Sequence, residues 1–378
     1  MWAAGLGAAA QFGKISVIYG PLGAVYPPAS VPFLVSLVGF TGIVFGTTAG
    51  VIVGRLGFRR VILGALLLGA GLSAAQAALL PLPWMVATRL AEGVAHLSVV
   101  VAAPVLIAQV AAPRDQGLAM TLWASFFGVS FALTAWGGLP LVAACGPGAL
   151  FGAHAAWLLG CAAVLARLLP RGLVARAPTR LTLAGVLAEH RAIYASPSIA
   201  APALGFLFYT LVFIAVLTLV PDLAPPDWRG VLAGGMPLVA TAASLSFGVL
   251  ALRVMRPVAL VSAGLGGGAV AVVAMAALAG VPAGFVAASL GLAAALGLAQ
   301  GASFAAIPDL VAAPDDRARA AGALAQLGNV GTTSGTPVLA AMIAAGGTGG
   351  LVAFVAPLCL GGIAMHWWLA RRRARGAG

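Results

Sequence analysis

The sequence contains few charged residues. Only 7% of its 378 residues are charged, and eight are Asp or Glu, whereas about a quarter of the residues of a soluble domain are charged. Hydrophobic residues make up 62% of the chain, and the mean hydropathy is +1.09. This balance excludes a soluble globular fold and predicts an all-α, multi-pass membrane protein.

Cysteine and catalytic groups are also scarce. Cys145, Cys161 and Cys359 are scattered among apolar neighbours, so we expect small core residues rather than a disulfide framework or a metal site. The four His and eight carboxylates have no catalytic spacing. Gly13-Lys14 lacks the spacing of a phosphate-binding loop. We therefore expect no enzyme, no cofactor and no bound metal.

The basic residues are placed unevenly. Seventeen of the twenty lie in alternate gaps between the hydrophobic runs, and such gaps face the cytoplasm. This placement explains the net charge of +12 without nucleic acid, which we do not expect as a partner. Arg229 lies in a gap of the opposite set, and Lys14 and Arg89 lie inside apolar runs. The seventeen are Arg55, Arg59, Arg60, Arg114, Arg167, Arg171, Arg176, Arg180, Arg191, Arg253, Arg256, Arg317, Arg319, Arg371, Arg372, Arg373 and Arg375.

Twelve apolar runs are long enough to cross a bilayer. An even number of spans places both termini on one side, and the C-terminal Arg cluster makes that side cytoplasmic. We expect a monomer in a bacterial inner membrane, with no cleavable signal peptide because the first run lacks a basic leader. The predicted spans are 3–26, 30–54, 61–80, 84–111, 118–142, 149–169, 199–220, 231–252, 257–279, 284–308, 321–344 and 351–370.

The sequence divides into two halves. Residues 171–198 form the longest connection, which is basic and includes a weakly amphipathic stretch. On either side, GVIVGR and GVLALR each end an even-numbered helix, and LIAQVAAPRDQG and DLVAAPDDRARAAG each follow a proline at the end of a fourth helix. These echoes predict two six-helix bundles, 1–170 and 199–378, joined by the linker 171–198. Parallel six-helix repeats are the plan of one large transporter architecture.

The stretch GVIVGRLGFRR resembles the loop signature between helices two and three of the major facilitator superfamily. The signature is carried by Gly50, Arg55, Gly57, Arg59 and Arg60. Where the family usually has Asp, this chain has Gly54, so the inner-side charge contact of that acid is not carried over. The resemblance implies that these five residues form a gating loop.

A second stretch, ATRLAEGVAHL, resembles the family's fourth-helix signature, in which Gly follows Arg by four residues. Arg89 and Gly93 carry it here. The fifth-helix signature of drug–proton antiporters is absent, since Ala132 and Leu133 follow Gly128 at the corresponding places. The resemblance covers essentially the whole chain and implies the twelve-helix fold of this superfamily and secondary transport.

Lys14 lies about 16 Å into the first predicted span, near the middle of the bilayer. An ionisable group at that depth is costly and needs a reason to be there. Lys14 is interpreted as a point charge that contacts an anionic substrate or pairs with a buried carboxylate. The alternatives are a side chain that reaches toward the headgroups, or a start codon placed wrongly.

Arg89, Glu92 and His96 share one face of the fourth helix by their spacing. Arg89 and Glu92 form either a structural pair or a coupling pair, in which protonation of Glu92 or His96 releases Arg89. His96 fits a packing role as well as a substrate contact.

The second half offers weaker candidates. Gln300 falls where Glu92 falls in the first half. Asp309 lies near the inner end of the tenth helix, where it either has a functional role, pairs with Arg317 or caps the bend at Pro308. Gln326 and Asn329 lie among small residues of the eleventh helix, where they form a helix–helix seam or line a substrate path.

These observations predict a secondary active transporter for a small polar, possibly anionic solute, coupled to protons. The alternatives are a copper-type metal importer, a drug or metabolite efflux carrier, and a channel or scramblase. The metal alternative needs clustered thioethers or thiols, and the eight Met residues show no such pairing.

Overall fold

The computed structural model describes residues 1–169 and 183–376, and every regular element within these ranges is a helix. The chain divides into two compact units, Met1–Arg180 and Leu181–Gly378, called here the N-terminal and C-terminal units. The helices of the N-terminal unit are α1 (Trp2–Ser16), α2 (Tyr19–Gly23), α3 (Val31–Ser36), α4 (Phe40–Phe45), α5 (Ala49–Leu56), α6 (Phe58–Gln76), α7 (Leu82–Val110), α8 (Gln116–Ala124), α9 (Phe126–Cys145) and α10 (Pro147–Leu168). Those of the C-terminal unit are α11 (Leu183–Ala195), α12 (Ala200–Leu223), α13 (Pro226–Ala243), α14 (Val249–Ala251), α15 (Pro257–Ala277), α16 (Pro282–Leu310) and α17 (Pro314–Gly376).

Ten helical stretches within the described ranges are long and apolar enough to cross a membrane. The last of them, Asp316–Arg375, has 60 residues, which is about 90 Å at 1.5 Å per residue and about three bilayer thicknesses. Gly347 interrupts it with φ 55° and ψ −131°, so two spanning helices meet at this residue. The sequence predicts a break at the same place, between the spans 321–344 and 351–370. The multi-pass helical fold is confirmed, whereas the count of twelve spans stays a prediction.

The first predicted span, 3–26, is broken near its end. Helix α1 stops at Ser16 after 15 residues, and the short α2 follows. Pro21 has no amide hydrogen to donate to the carbonyl of Val17, so a continuous helix would lose a hydrogen bond at that position. The break explains why α1 alone is too short to rank among the ten spans.

The second predicted span, 30–54, is also irregular. A 3-10 turn, Leu37–Gly39, separates α3 from α4, and α5 follows as a separate helix. Gly93 of α7 packs against this turn, because a β-carbon there would lie 2.6 Å from the carbonyl oxygen of Val38. The fourth-helix glycine therefore permits a close approach of α7 to the irregular second span.

Small residues bring helices into backbone contact in both units. A β-carbon on Gly148 would lie 2.4 Å from the carbonyl oxygen of Ala77, and one on Gly335 would lie 2.0 Å from that of Leu211. Such contacts stabilise helix pairs in membranes, where lipid tails are as apolar as the side chains. The eleventh-helix stretch therefore forms a seam with α12.

The linker predicted at 171–198 lies partly outside the described residues. Its described part contains α11, which packs against α17 within the C-terminal unit. Arg319 of α17 donates to both oxygens of Glu189, at 2.6 and 3.2 Å. The end of the predicted linker is thus a helix that is held by an ion pair.

Candidate functional site

Buried polar side chains meet inside the N-terminal unit, between α1, α6, α7 and α10. At the centre, Nζ of Lys14 donates to Ser73 Oγ at 2.5 Å, Gln76 Oε1 at 2.7 Å and Glu92 Oε1 at 2.5 Å. All four side chains are fully buried. An ammonium group has three hydrogens, so these three acceptors satisfy it completely. We call Lys14, Ser73, Gln76, Arg89, Glu92 and His154 the buried cluster.

Glu92 of α7 is the counter-charge of two cations. Its Oε1 accepts from Lys14, and its Oε2 accepts from Arg89 Nη1 and, at 2.9 Å, from Gln76 Nε2. Both of the pairings that the sequence suggests, Lys14 with a buried carboxylate and Arg89 with Glu92, therefore occur together. Their roles in transport stay predictions.

Arg89 is fully buried and only partly satisfied. Its Nε donates to the carbonyl oxygen of Leu34 in α3 at 2.7 Å, and its Nη1 donates to Glu92. Its Nη2 has no hydrogen-bond partner within the described residues. An unsatisfied guanidinium nitrogen in a buried place is costly, and a second oxygen ligand would remove that cost.

His154 of α10 completes the cluster and was missed from the sequence. Its Nε2 lies 2.8 Å from the carbonyl oxygen of Gly7. A carbonyl oxygen only accepts, so Nε2 carries the hydrogen and Nδ1 is left as the acceptor of a neutral ring. Ser73 Oγ lies 2.7 Å from Nδ1 and can donate to it.

The sequence contains a signal for His154. His154 is an ionisable residue well inside the predicted span 149–169, and such residues are functional candidates in membrane helices. Ser73 and Gln76 give no comparable signal, because serine and glutamine are common in membrane helices as ordinary hydrogen-bonding residues.

The buried cluster carries a net charge of one positive unit. Lys14 and Arg89 are cationic, Glu92 is anionic, and His154 is neutral in the arrangement of its hydrogen bonds. Within the described residues, no further carboxylate forms an ion pair with Lys14 or Arg89. The cluster can therefore attract an anion.

His96 lies outside this hydrogen-bond network. Its Nδ1 lies 2.9 Å from the carbonyl oxygen of Ala8, and the ring of Phe12 meets it edge-on with centroids 5.0 Å apart. Both contacts are to α1 and fix the helix pair. The packing interpretation of His96 is thus supported by its contacts, while a substrate contact stays a prediction.

The candidates of the C-terminal unit have separate surroundings. Gln300 is half-buried in α16. Gln326 accepts from Tyr194 of α11 at 2.9 Å, and Asn329 donates to the carbonyl oxygen of Ala325 at 2.8 Å. A substrate role for the three residues stays a prediction.

The partner proposed for Asp309 was wrong. Asp309 accepts from Arg256 Nη2 at 3.4 Å, whereas Arg317 donates to the carbonyl oxygen of Val311. Arg256 directly precedes α15 and Asp309 is the penultimate residue of α16, so tertiary packing brings together two residues that are far apart in sequence.

The predicted gating loop is a single-residue turn between α5 and α6. Gly57 adopts φ 86° and ψ 133°, a conformation that favours glycine. Arg59 donates to the carbonyl oxygens of Ala166, at 2.7 Å, and Leu169, at 3.2 Å, at the C-terminal end of α10. Arg60 is exposed. Gly50 and Arg55 belong to α5, but their side chains lie outside the described part of the structure.

Ten apolar helices of spanning length within the described ranges, together with a buried charge cluster, define a multi-pass helical membrane protein. The family model of the Major Facilitator Superfamily matches residues 1–223, more than half of the 378-residue chain. The chain therefore belongs to the major facilitator superfamily, whose members are secondary transporters of small molecules. The family resemblance seen in the sequence is confirmed. No curated protein sequence matches the chain.

Proposed function

We propose that this protein is a secondary active transporter that moves a small polar, anionic solute by alternating access and is driven by protons. Family membership supports transport in general. The buried cluster supports the rest, because it holds a surplus positive charge and ionisable groups within one bundle of apolar helices. Groups of this kind mark ion and substrate pathways in membrane proteins.

The observation that carries the anion preference is Nη2 of buried Arg89, which has no hydrogen-bond partner in the part of the chain that the structure describes. A guanidinium presents its two terminal nitrogens to the two oxygens of a carboxylate or phosphate. Nη1 is occupied by Glu92, so Nη2 offers one strong hydrogen bond to an incoming anion. Lys14 attracts an anion only through its charge, because all three hydrogens of its ammonium group are already donated to Ser73, Gln76 and Glu92.

The proposed arrangement is two six-helix bundles, 1–170 and 199–378, with a cytoplasmic linker, 171–198. We place the protein in a bacterial inner membrane as a monomer with both termini in the cytoplasm. The alternation of basic gaps supports this orientation. One contact within each unit supports it. In the N-terminal unit, Arg59 lies in one basic gap and donates to the end of α10, which leads into another. In the C-terminal unit, Arg256 lies in one basic gap and pairs with Asp309, which lies beside another.

The proposal is tested in proteoliposomes. Purified protein is first screened by thermal shift against organic anions, amino acids and metal ions, and a radiolabelled hit is then used for uptake. Saturable uptake with counterflow, increased by an inward proton gradient, is the expected result. A conductance that does not saturate would indicate a channel or scramblase. Uptake of copper or another metal, or export of apolar drugs, would contradict the anion assignment.

A further inference from the structure

We infer that Lys14 carries the coupled proton, that Ser73 and His154 pass the proton to and from it, and that the proton travels with one monovalent anion at Arg89. This inference rests on the proposed function. It adds the carrier, the path and the charge of the substrate.

Glu92 is poorly placed to take up a proton. Its two oxygens accept hydrogen bonds from Lys14, Arg89 and Gln76. Protonation would leave two adjacent buried cations without a counter-charge, which a medium of low dielectric constant strongly disfavours. Loss of a proton from Lys14 has the opposite effect, because Arg89 and Glu92 then remain as a neutral pair. The removable proton of the cluster is therefore the one on Lys14.

Charge balance then couples the proton to the anion. With Lys14 as a neutral amine and no anion bound, the cluster carries no net charge. With Lys14 as an ammonium and a monovalent anion at Arg89 Nη2, the net charge is again zero. Ammonium without anion, or anion without ammonium, leaves one charge buried and uncompensated. The two neutral states are thus favoured. The protein should therefore transport one proton and one monovalent anion in the same direction, with no net movement of charge.

The hydrogen bonds give the proton a path that leaves Glu92 untouched. Ser73 Oγ lies 2.5 Å from Lys14 Nζ and 2.7 Å from His154 Nδ1. A proton passes from Nζ to Oγ while the hydroxyl proton of Ser73 passes to Nδ1. The products are an amine, an intact hydroxyl group and an imidazolium ring. Nε2 of His154 keeps its own hydrogen on the carbonyl oxygen of Gly7, so the imidazolium ring releases its extra proton from Nδ1, to water on the side to which the transporter is open. The cluster becomes neutral only after that release.

Few titratable groups surround Lys14. Helix α7 contributes Arg89, Glu92 and His96, and α10 contributes His154. Helix α6 contributes the polar Ser73 and Gln76 at this level. Helices α2, α3, α8 and α9 also pack against α1. Helix α2 contains Tyr19, and the sequences of the other three contain no Asp, Glu, His, Lys or Arg. Lys14, Glu92 and His154 are therefore the groups whose protonation the experiment must separate.

The sequence allows a direct test, because Lys14 is its single lysine. Protein labelled with [ζ-15N]lysine and reconstituted in lipid gives one side-chain signal, whose chemical shift separates ammonium from amine. Between about pH 6 and about pH 9, we expect an amine contribution that grows with pH. At about pH 8, a transported monocarboxylate such as lactate should return the signal to ammonium, since proton and anion binding are linked. An ammonium signal that neither pH nor lactate changes would overturn the inference.

Transport measurements test the path. In proteoliposomes with an entrapped pH dye, wild-type uptake should bring in about one proton per anion and should not respond to membrane potential. Ser73→Ala and His154→Gln should lower proton-driven accumulation by about tenfold or more. Ser130→Ala is the matched control. Ser130 is a buried serine outside the cluster, and it donates to the carbonyl oxygen of Leu6 in α1, the helix that also contains Lys14. Proton-driven accumulation that is equal in Ser73→Ala, His154→Gln and Ser130→Ala would contradict the relay.

Failure of this inference can be told apart from failure of the proposed function. If anion uptake is proton-driven but the Lys14 signal stays ammonium, the transporter assignment stands and the carrier is wrong. If Lys14 changes between ammonium and amine with pH but no anion is taken up, the proposed function fails and Lys14 is still the titrating group. Uptake of a divalent anion in preference to lactate would refute the charge-balance argument itself.

Discussion

Nζ of Lys14 lies 2.5 Å from Oε1 of Glu92, and the two residues, 78 positions apart in the chain, are both completely buried. The pair joins α1 to α7 within the N-terminal unit. A buried ion pair is often no more stabilising than an apolar pair of the same size, because both charges lose their hydration. Its presence in a helix bundle of a membrane protein therefore favours a role in transport over a role in stability alone.

The surplus positive charge predicts that the charged members of the cluster respond unequally to substitution. Glu92→Gln leaves two buried cations unpaired and should lower the free energy of unfolding by about 3–5 kcal/mol. Lys14→Met leaves the neutral Arg89–Glu92 pair, so its cost should be smaller, about 1–3 kcal/mol for the lost hydrogen bonds. Thermal unfolding of the purified variants in detergent measures the order. A larger loss for Lys14→Met than for Glu92→Gln would contradict the charge count.

Gly93 gives a prediction about packing. A β-carbon at this position would lie 2.5 Å from Thr41 Oγ1 and 2.6 Å from the carbonyl oxygen of Val38. Gly93→Ala should therefore force α7 away from the second span and lower stability by about 1–3 kcal/mol. It should also weaken transport, because Arg89 reaches the Leu34 carbonyl from the same helix one turn earlier.

The control for Gly93 is Gly71 in α6, which has open space around the position of a β-carbon. Gly71→Ala should change stability by less than about 1 kcal/mol, in the stabilising direction, since alanine favours a helix more than glycine does. Equal thermal shifts for the two alanine variants would show that the close approach of α7 is not required.

Much of the fold follows from the sequence because bilayer-spanning runs and basic gaps are local patterns. The gap predicted between the spans 321–344 and 351–370 contains the turn at Gly347, and the long apolar helices match most predicted spans. The breaks inside the first two spans were not predicted. They depend on Pro21 and on the packing of the Leu37–Gly39 turn against Gly93, and the second of these is a tertiary contact.

The candidate site was predictable to a similar degree. Lys14, Arg89 and Glu92 are ionisable residues inside apolar runs, so their cost in a membrane identifies them. Ser73 and Gln76 become significant only when α6 lies against Lys14, and no local pattern predicts that contact. The polarity of Gln326 predicts a place in a helix–helix seam or on a substrate path, and its hydrogen bond with Tyr194 of α11 depends on tertiary packing.

The orientation in the membrane gives a further prediction. In a variant without the native cysteines, Arg60→Cys should react with a membrane-impermeant thiol reagent only from the cytoplasmic side, and Asp227→Cys only from the opposite side. Both positions are exposed at helix ends, so the reagent can reach them. Labelling of both from the same side would refute the proposed topology.

The central claim is that the buried cluster around Lys14 couples a proton gradient to anion movement, and uphill uptake by Lys14 variants tests it most directly. Wild-type protein, Lys14→Ala and Lys14→Arg are reconstituted at equal amounts, and accumulation of the labelled anion is followed under an inward proton gradient. We expect wild-type protein to accumulate the anion and folded Lys14→Ala to lose most transport. Lys14→Arg should retain only part of it, since a guanidinium is longer than an ammonium group and stays charged. Accumulation by Lys14→Ala at the wild-type level would contradict the account.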